Sequence, residues 1–500
     1  MNSENKPPYK VVDLFAGCGG FTRGFFEFSQ DTMKDGVHSF APIAGVEIDP
    51  AAALTYFTNF EKWADDTTGS DHHFFLGDIA DWVDVVRAKG LHADVILGGP
   101  PCQGFSGLGK GDPDDPRNRL WEEYFKIVEL VQPRIFIIEN VERFNSSSQL
   151  SDLKSAFLEL GYTLEDPQVL NAADYGAAQL RKRTIVIGVR GKRHISYPAP
   201  SHAGAGKARQ VGLFATEEPK AWKTLKECLD GEKDPIPYRP SRFDLPELND
   251  ENVPSVTISR KVTETGVLDK EFVARLREMI PGPFTSESLH IGRRPTDLSL
   301  ARYRAIEPGQ NRHALRNAPP ALVEGKLVPL STESWNRHNS GSGDVMGRLV
   351  WEKPSVTIRT EFFKPEKGRY LHPVDHRPIT HYEASRIQGF PDGFRWCGSK
   401  SQIARQIGNA VPVPLARALA EHVYHALEGG AGLEDPHEAE DLTSDTAQAW
   451  GFSTGSSSLP RIGAVVNSSW KSGSSRATEE KSTSPSSGPS GRESCGTGGA

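Results

Sequence analysis

Cysteine is scarce in this 500-residue chain: five residues, Cys18, Cys102, Cys228, Cys397 and Cys495, with no pair spaced as C-x-x-C. That scatter speaks against a disulfide scaffold and against a structural zinc site, and it suits a reducing compartment. Long apolar runs are missing too. No stretch approaches the about eighteen consecutive apolar residues that read as a membrane span. Residues 1–9 lack the apolar centre of an export signal. The expected location is therefore the cytoplasm, with no membrane contact. Positive charge is also short: 58 Lys and Arg stand against 65 Asp and Glu, a net charge of −7. A uniformly basic chain is excluded, so any contact with a polyanion has to be local.

What the sequence does have is a rhythm. Over its first two hundred residues, short β-branched runs alternate with amphipathic stretches, as in a parallel α/β sheet. Strands are expected at 10–15, 42–48, 93–97, 134–139 and 184–189, and helices at 20–28, 50–59, 118–131 and 149–160. The rhythm stops after Tyr197-Pro198-Ala199-Pro200, and from there to 376 the chain is rich in Pro, Gly, Arg and polar residues. Two short stretches inside this region, Pro254-Ser255-Val256-Thr257-Ile258 and Pro354-Ser355-Val356-Thr357-Ile358, echo each other as two similar strands would. Six arginines (293, 294, 302, 304, 312 and 316) stand there against only Asp297 and Glu307, a stretch suited to tracking phosphates. Helical character returns at 382–388 and 413–427. The expected organisation is a catalytic domain at 8–197, a separate irregular domain at 198–376, a return segment at 377–430 that completes the first, and a tail at 431–500. That tail, dominated by Ser, Gly and Thr, has too little apolar surface to order itself.

Asp13-Leu14-Phe15-Ala16-Gly17-Cys18-Gly19-Gly20 joins the first strand to the first helix. Glycines at such a turn let backbone pack closely around a ligand. Thr22 stands where the dinucleotide fingerprint needs its third glycine, counting from Gly17. Glu47, ending the second strand, is placed to hold ribose hydroxyls, and Asp78 to accept from an adenine amino group. The segment that decides the chemistry is Gly98-Gly99-Pro100-Pro101-Cys102-Gln103-Gly104-Phe105-Ser106. It follows a strand at the carboxyl edge, where open α/β sheets carry their chemistry, and its prolines and glycines present one cysteine. Glu139-Asn140-Val141 ends the next strand and puts a carboxylate beside it. Gln179-x-Arg181-x-Arg183 leads into a further strand, whose alternation points both arginines to one face.

In this order these segments resemble the motif series of the cytosine-5 DNA methyltransferase family. So do Arg377-Pro378-Ile379-Thr380, Arg386-Ile387-Gln388-Gly389-Phe390-Pro391-Asp392 and Gly408-Asn409-Ala410-Val411-Pro412. The likeness covers 10–189 and 377–427. It implies a Rossmann-like class I S-adenosylmethionine-dependent methyltransferase domain facing a smaller, irregular, β-containing target-recognition domain across a DNA cleft. It implies Cys102 as the nucleophile adding to carbon 6 of a flipped-out cytosine, Glu139 on the ring nitrogen and exocyclic amine, Arg183 on the carbonyl and Arg181 near the thiolate. Phe15, Gly17, Gly19, Glu47, Asp78 and Asn409 match cofactor-contacting positions, and no metal is called for. The implied partner is double-stranded DNA, with a restriction endonuclease of the same specificity as a further one, and the expected state is a nucleoid-associated monomer. The chain departs from the family's strictest pattern at Thr380-His381-Tyr382-Glu383, where an arginine commonly precedes the glutamate. The alternatives weighed are a transfer-RNA cytosine methyltransferase and an inactive DNA-binding relative; intact Cys102, Glu139, Arg181 and Arg183 weigh against the second.

Overall fold

The computed structural model describes residues 6–34, 36–69, 71–101, 120–204, 218–230, 239–240, 267–292, 295–337 and 344–429. Cys102, Arg293, Arg294, the segment 254–258 and the tail from 431 lie outside the described residues. The first unit of the chain runs from Met1 to Asp441 and holds everything below.

Its centre is an eight-stranded sheet. In chain order its elements are β1 (Tyr9–Leu14), α1 (Gly20–Asp31), β2 (Phe40–Glu47), α2 (Pro50–Thr68), β3 (His73–Leu76), α3 (Ile79–Lys89), β4 (Val95–Gly98), α4 (Leu120–Val131), β5 (Ile135–Val141), α5 (Ser148–Glu159), β6 (Tyr162–Leu164), β7 (Gln168–Asn171), a short β8 (Gln179–Leu180) that lies outside the sheet, and β9 (Lys182–Arg190). The strand order is β3-β2-β1-β4-β5-β9-β6, with β7 also paired to β9. β3, β2, β1, β4 and β5 run parallel. The order reverses between β1 and β4, so the carboxyl ends there form the crevice in which open sheets take their ligands. The rhythm of the sequence leads to a parallel sheet throughout, and here the structure differs. β9 runs antiparallel to β5, and β6 and β7 run antiparallel to β9. An apolar run such as Ile185–Val186–Ile187 reports burial on both faces, which either direction satisfies.

Alternation along the strands builds one core on each face. Tyr9, Val11, Ile135 and Ile137 face α1, α2 and the C-terminal helices, while Val12, Leu14, Phe136 and Ile138 face α3, α4 and α5. Helix α2 starts where Asp49 accepts from the Ala51 and Ala52 amides and Pro50 occupies the first turn, two features that pre-form a helix N-terminus. The open edge of β3 is covered, because Val267 bridges Phe75 and the Leu268 amide donates to the Phe74 carbonyl at 2.7 Å.

Past β9, short two-stranded ladders replace the sheet. A small separate core (Tyr303, Ile306, Leu315, Leu330, Met346 and Leu371) gathers the helix Asp297–Arg304 and the hairpin Ala321–Val323 and Lys326–Val328. The chain then returns as helices His381–Ile387, Lys400–Asn409 and Val413–Glu428. The last of these lies against α1 so closely that a Cβ on Gly24 would stand 2.4 Å from the Arg417 amide nitrogen. Tyr9 and Lys6 meet Glu428 at 2.8 and 3.0 Å, fixing the end of that helix beside β1. Among the described residues no helix is long and apolar enough to cross a membrane.

Candidate active site

Register brings the carboxyl ends of the strands level. Leu14 pairs with Val46 on one side and with Gly98 on the other, Glu47 pairs with Leu76, and Gly98 with Ile138. After β1 the backbone turns through three left-handed residues, Phe15, Gly17 and Gly19. A side chain on Gly19 would strike the Phe60 ring at 2.2 Å, so that position admits only glycine, whereas a Cβ on Gly17 would meet nothing within 4 Å. The open space above Gly17 is where a ligand can approach the backbone.

Glu47 faces this turn. One carboxylate oxygen accepts from the Gly17 amide at 2.8 Å, and the other from Ile48 and Asp49 at 2.9 and 2.8 Å. Its first task is therefore to hold the turn, with the remaining acceptor capacity of the carboxylate left for a ligand. Burial pushes its pKa up, opposed by those amides. Asp78 lies alongside, since the Gly77 amide donates to the Glu47 carbonyl at 3.0 Å. It is exposed, and one oxygen caps α3 through the Ala80 amide at 2.9 Å. Ile48, 65% exposed between Glu47 and Asp49, leaves an apolar side chain open beside the turn that strand and turn patterns did not single out. Its signal was an isoleucine following a strand-end carboxylate. Asp13, 2% exposed, accepts from the Thr22 hydroxyl at 2.6 Å, and burial lifts its pKa to about 7.

At the other end, Asn140 donates from its amide to the Pro100 carbonyl at 3.0 Å. A Cβ on Gly99 would stand 3.3 Å from a Glu139 carboxylate oxygen. The chain thus enters the segment that begins at Cys102 seated directly beside Glu139. Three other cysteines (Cys18, Cys228 and Cys397) are buried, and burial pushes each thiol up, Cys397 to about 11. A thiol held up in this way is a poor nucleophile. Glu139, 9% exposed, pairs with the Arg183 guanidinium at 2.8 Å.

Arg181 and Arg183 do not share one task. Arg181, 2% exposed, donates to the carbonyl of Ile358 at 3.1 Å and, on the return segment, to those of Gly408 at 3.0 Å and Asn409 at 3.5 Å. Its Nε has no hydrogen-bond partner among the described residues. Burial, then the neighbouring Arg183, pull its pKa down, while Glu139 opposes them. Asn409 ends the helix Lys400–Asn409 with an exposed side chain, and the next residues lie on the glycine turn: a Cβ on Gly20 would be 2.6 Å from the Val411 carbonyl oxygen. At the departure from the family pattern, His381 bonds the Lys400 carbonyl at 2.9 Å and stacks on Phe363, and Tyr382 lies under Arg386.

The arginine-rich stretch is largely taken up by its own fold. Arg302 donates to the Leu330 carbonyl at 2.9 Å and sits over the Trp335 ring, and Arg316 donates to the Trp335 carbonyl at 2.9 Å. Arg304 is exposed. Among the described residues no cluster of His, Cys, Asp and Glu could hold a metal ion.

The sequence profile described as C-5 cytosine-specific DNA methylase matches residues 9–425. The type II methyltransferase M1.HphI of Haemophilus parahaemolyticus is 29% identical over 424 residues, which is 82% of this chain and 86% of that one. M.AgeI of Thalassovita gelatinovora is 27% identical over 84% of this chain and 100% of its own length. The DNA (cytosine-5)-methyltransferase PliMCI of Paracentrotus lividus is 27% identical over 84% of this chain, which spans 28% of that relative's length. Among solved structures, a prophage-encoded E. coli protein described as a DNA modification methyltransferase superposes with a TM-score of 0.50 at 24% identity, over 84% of this chain and 99% of that one, a likeness of fold.

Proposed function

Because the chain belongs to the C-5 cytosine-specific DNA methylases, we propose that it methylates carbon 5 of a cytosine flipped out of duplex DNA, through a covalent adduct of Cys102. The observation that carries this reading is the seating of the loop that leads to Cys102 against Glu139, itself paired with Arg183 at 2.8 Å.

The residues present fit S-adenosylmethionine. The space above Gly17 is open, Glu47 has acceptor capacity beside it, and Ile48 offers an apolar rim with Asp78 beyond. The Gly19 position carries no side-chain cap on α1, so the positive end of that helix faces the turn unopposed. Phe15, Gly17, Gly19, Glu47, Asp78 and Asn409 would hold the cofactor. When bound, it supplies a methyl group activated on a sulfonium.

Inside a duplex the base is out of reach, so the cytosine must leave the stack. Carbon 5 of cytosine is a poor nucleophile until a thiolate adds next to it. The Cys102 thiolate forms a carbon–sulfur bond at carbon 6, and the ring's electron pair moves toward carbon 5. Glu139 favours this by hydrogen-bonding the ring nitrogen and exocyclic amine, while Arg183 holds the carbonyl. Carbon 5 takes up the methyl, its proton passes to water, the electron pair of that C–H bond re-forms the ring double bond, and the carbon–sulfur bond breaks so that the thiolate departs. Nearby cations lower a thiol's pKa, and Arg181 and Arg183 supply two.

Residues 198–376 are proposed to read the DNA sequence; the separate small core around Tyr303 and Leu315 supports this for its own part of the range, whereas Leu225, Leu268, Phe272, Leu276 and Ile358 pack into the main core. A restriction endonuclease of the same specificity would be the natural companion, as the type II names of two relatives suggest. The test is a side-by-side assay with labelled cofactor on duplex DNA and transfer RNA. Duplex DNA should gain 5-methylcytosine, and Cys102→Ala should abolish transfer while DNA binding survives. A clear RNA preference, or methylation by the alanine variant above trace level, would overturn the reading.

A further inference from the structure

Gln179 and Gln388 have no exposed surface, so neither meets solvent and each has to satisfy its amide internally. They do so on each other and on two other stretches of backbone, at Ile358 and at Ile407 and Ala410. The Gln179 amide nitrogen donates to the Gln388 side-chain oxygen at 2.8 Å, and the Gln179 oxygen accepts from the Ile358 amide at 2.7 Å. The Gln388 side-chain nitrogen donates to the carbonyls of Ile407 and, at 3.4 Å, Ala410, and the Gln388 backbone carbonyl accepts from the Val413 amide at 2.9 Å. The turn at 407–411 is thereby fixed from inside.

That turn has two further neighbours. On one side it covers the cofactor-side glycine turn, through Val411 over Gly20, and the Cys18 thiol reaches the Gln406 carbonyl at 3.6 Å. On the other, its Gly408 and Asn409 carbonyls hold the Arg181 guanidinium next to Glu139 and Arg183. A side chain on Gly408 would strike the Arg359–Thr360 backbone at 2.5 Å, so the turn has no room to shift toward that segment.

We infer that Gln179 and Gln388 are positioning residues, and that the turn they fix joins the cofactor-binding half of the site to the base-binding half. The inference rests on the proposed reaction. Releasing the turn loosens Asn409 and Val411 above the glycine turn and lets Arg181 leave its place at once, so both halves degrade together.

The experiment uses the full chain. Gln388→Met removes every side-chain hydrogen bond at that position. Gln388→Glu is closer in shape, keeps an acceptor for Gln179 and gives up the amide donors to the turn. Affinity for the demethylated product S-adenosylhomocysteine is measured by calorimetry. KM for S-adenosylmethionine and kcat are measured on unmethylated duplex DNA, and melting temperature alongside. Each variant should lose cofactor affinity and kcat together, each by about tenfold, the scale of one buried hydrogen-bonding group left without its partner. The Gln179→Met/Gln388→Met double variant should lose less than the two single losses combined, because the two share one interaction. Tyr162→Phe, which loses a buried bond to the Pro133 carbonyl far from the site, should lower melting temperature alone. A Gln388 variant that does the same, with wild-type KM and kcat, overturns the inference. So does loss of only one of the two parameters. Calorimetry needs no DNA, so unchanged product affinity overturns it whatever the reaction proves to be. A wild-type chain that binds the product but never methylates DNA would instead overturn the proposed function.

Discussion

Opposite charges face each other where β5 ends and β9 begins, and the partnership decides what each can do. Glu139 meets Arg183 at 2.8 Å with little water around either. Replacing the carboxylate by an amide keeps one accepting oxygen but removes the negative charge, which leaves Arg183 without its counter-charge and weakens the hydrogen bonding proposed for the base. Glu139→Gln should therefore lower single-turnover methyl transfer by ~10²–10⁴-fold, the usual range for such help, while calorimetry finds cofactor affinity unchanged. Weakened cofactor binding at an unaltered rate would move Glu139 to the other half of the site. Residue types at strand ends were legible in the sequence, because a carboxylate closing an apolar run has few structural reasons to be there. Partners were not legible. Strand alternation put Arg181 and Arg183 on one face but could not tell that Arg181 would bind carbonyls at 358, 408 and 409, which come from a segment more than a hundred residues away. Nor could spacing show that Glu47 would use three acceptor positions on backbone amides, or that Asp78 would cap a helix.

Helix α1 and the helix Val413–Glu428 touch through Gly24, and intrinsic propensity and packing make opposite demands there. Inside an exposed helix, exchanging glycine for alanine gains about 1 kcal/mol. Here the added methyl would stand 2.4–2.5 Å from the backbone and side chain of Ala416 and the amide of Arg417. Overpacking against backbone typically costs about 1–3 kcal/mol, so packing wins. Gly24→Ala should lower the melting temperature by a few degrees in a thermal scan, while Gly393→Ala, with nothing within 4 Å, should be neutral. A rise for Gly24→Ala would mean that the two helices part easily. The strands β1, β2, β4, β5 and β9 and the helices α1, α2, α4 and α5 fall within a few residues of where periodicity put them, α2 excepted, which runs on to Thr68. Missed were α3, whose four buried residues sit among charged ones, and the helix Lys400–Asn409, where five buried residues include Gln406 and Gly408. A narrow apolar stripe broken by a glutamine or glycine does not announce a helix. It becomes one here because Ser399 closes a capping box with Gln402 and the molecule supplies the other wall.

Across the whole molecule, two buried carboxyls set opposing pH dependences. Arg377 grips Glu383 with two bonds of 2.8 and 2.6 Å, and this holds the buried carboxyl at about 2, against an ordinary 4.5. A depressed folded-state pKa contributes stability above the unfolded value and loses it as pH falls toward the folded one, here on the order of 3 kcal/mol. Asp13, raised to about 7, has the reverse sign: its destabilising charge grows as pH rises from near 4 to 7. Melting temperature should fall steeply as pH drops from about 5 toward 2, and Arg377→Met should flatten that fall while lowering stability at neutral pH by about 3–5 kcal/mol. An acid limb unchanged in the variant would mean that Glu383 owes its low pKa to something other than Arg377. The return of the chain to its own beginning has a further consequence, in the order of synthesis. The glycine turn, Glu47 and Asp78 leave the ribosome hundreds of residues before the turn at 407–411 that covers Gly20 and anchors Arg181. A nascent polypeptide therefore carries the glycine turn and Arg181 unjoined until the helix Lys400–Asn409 and the turn after it emerge. Products of interrupted translation would be silent rather than half-active, and an enzyme that leaves a lasting mark on DNA would begin to act only once its reading is complete.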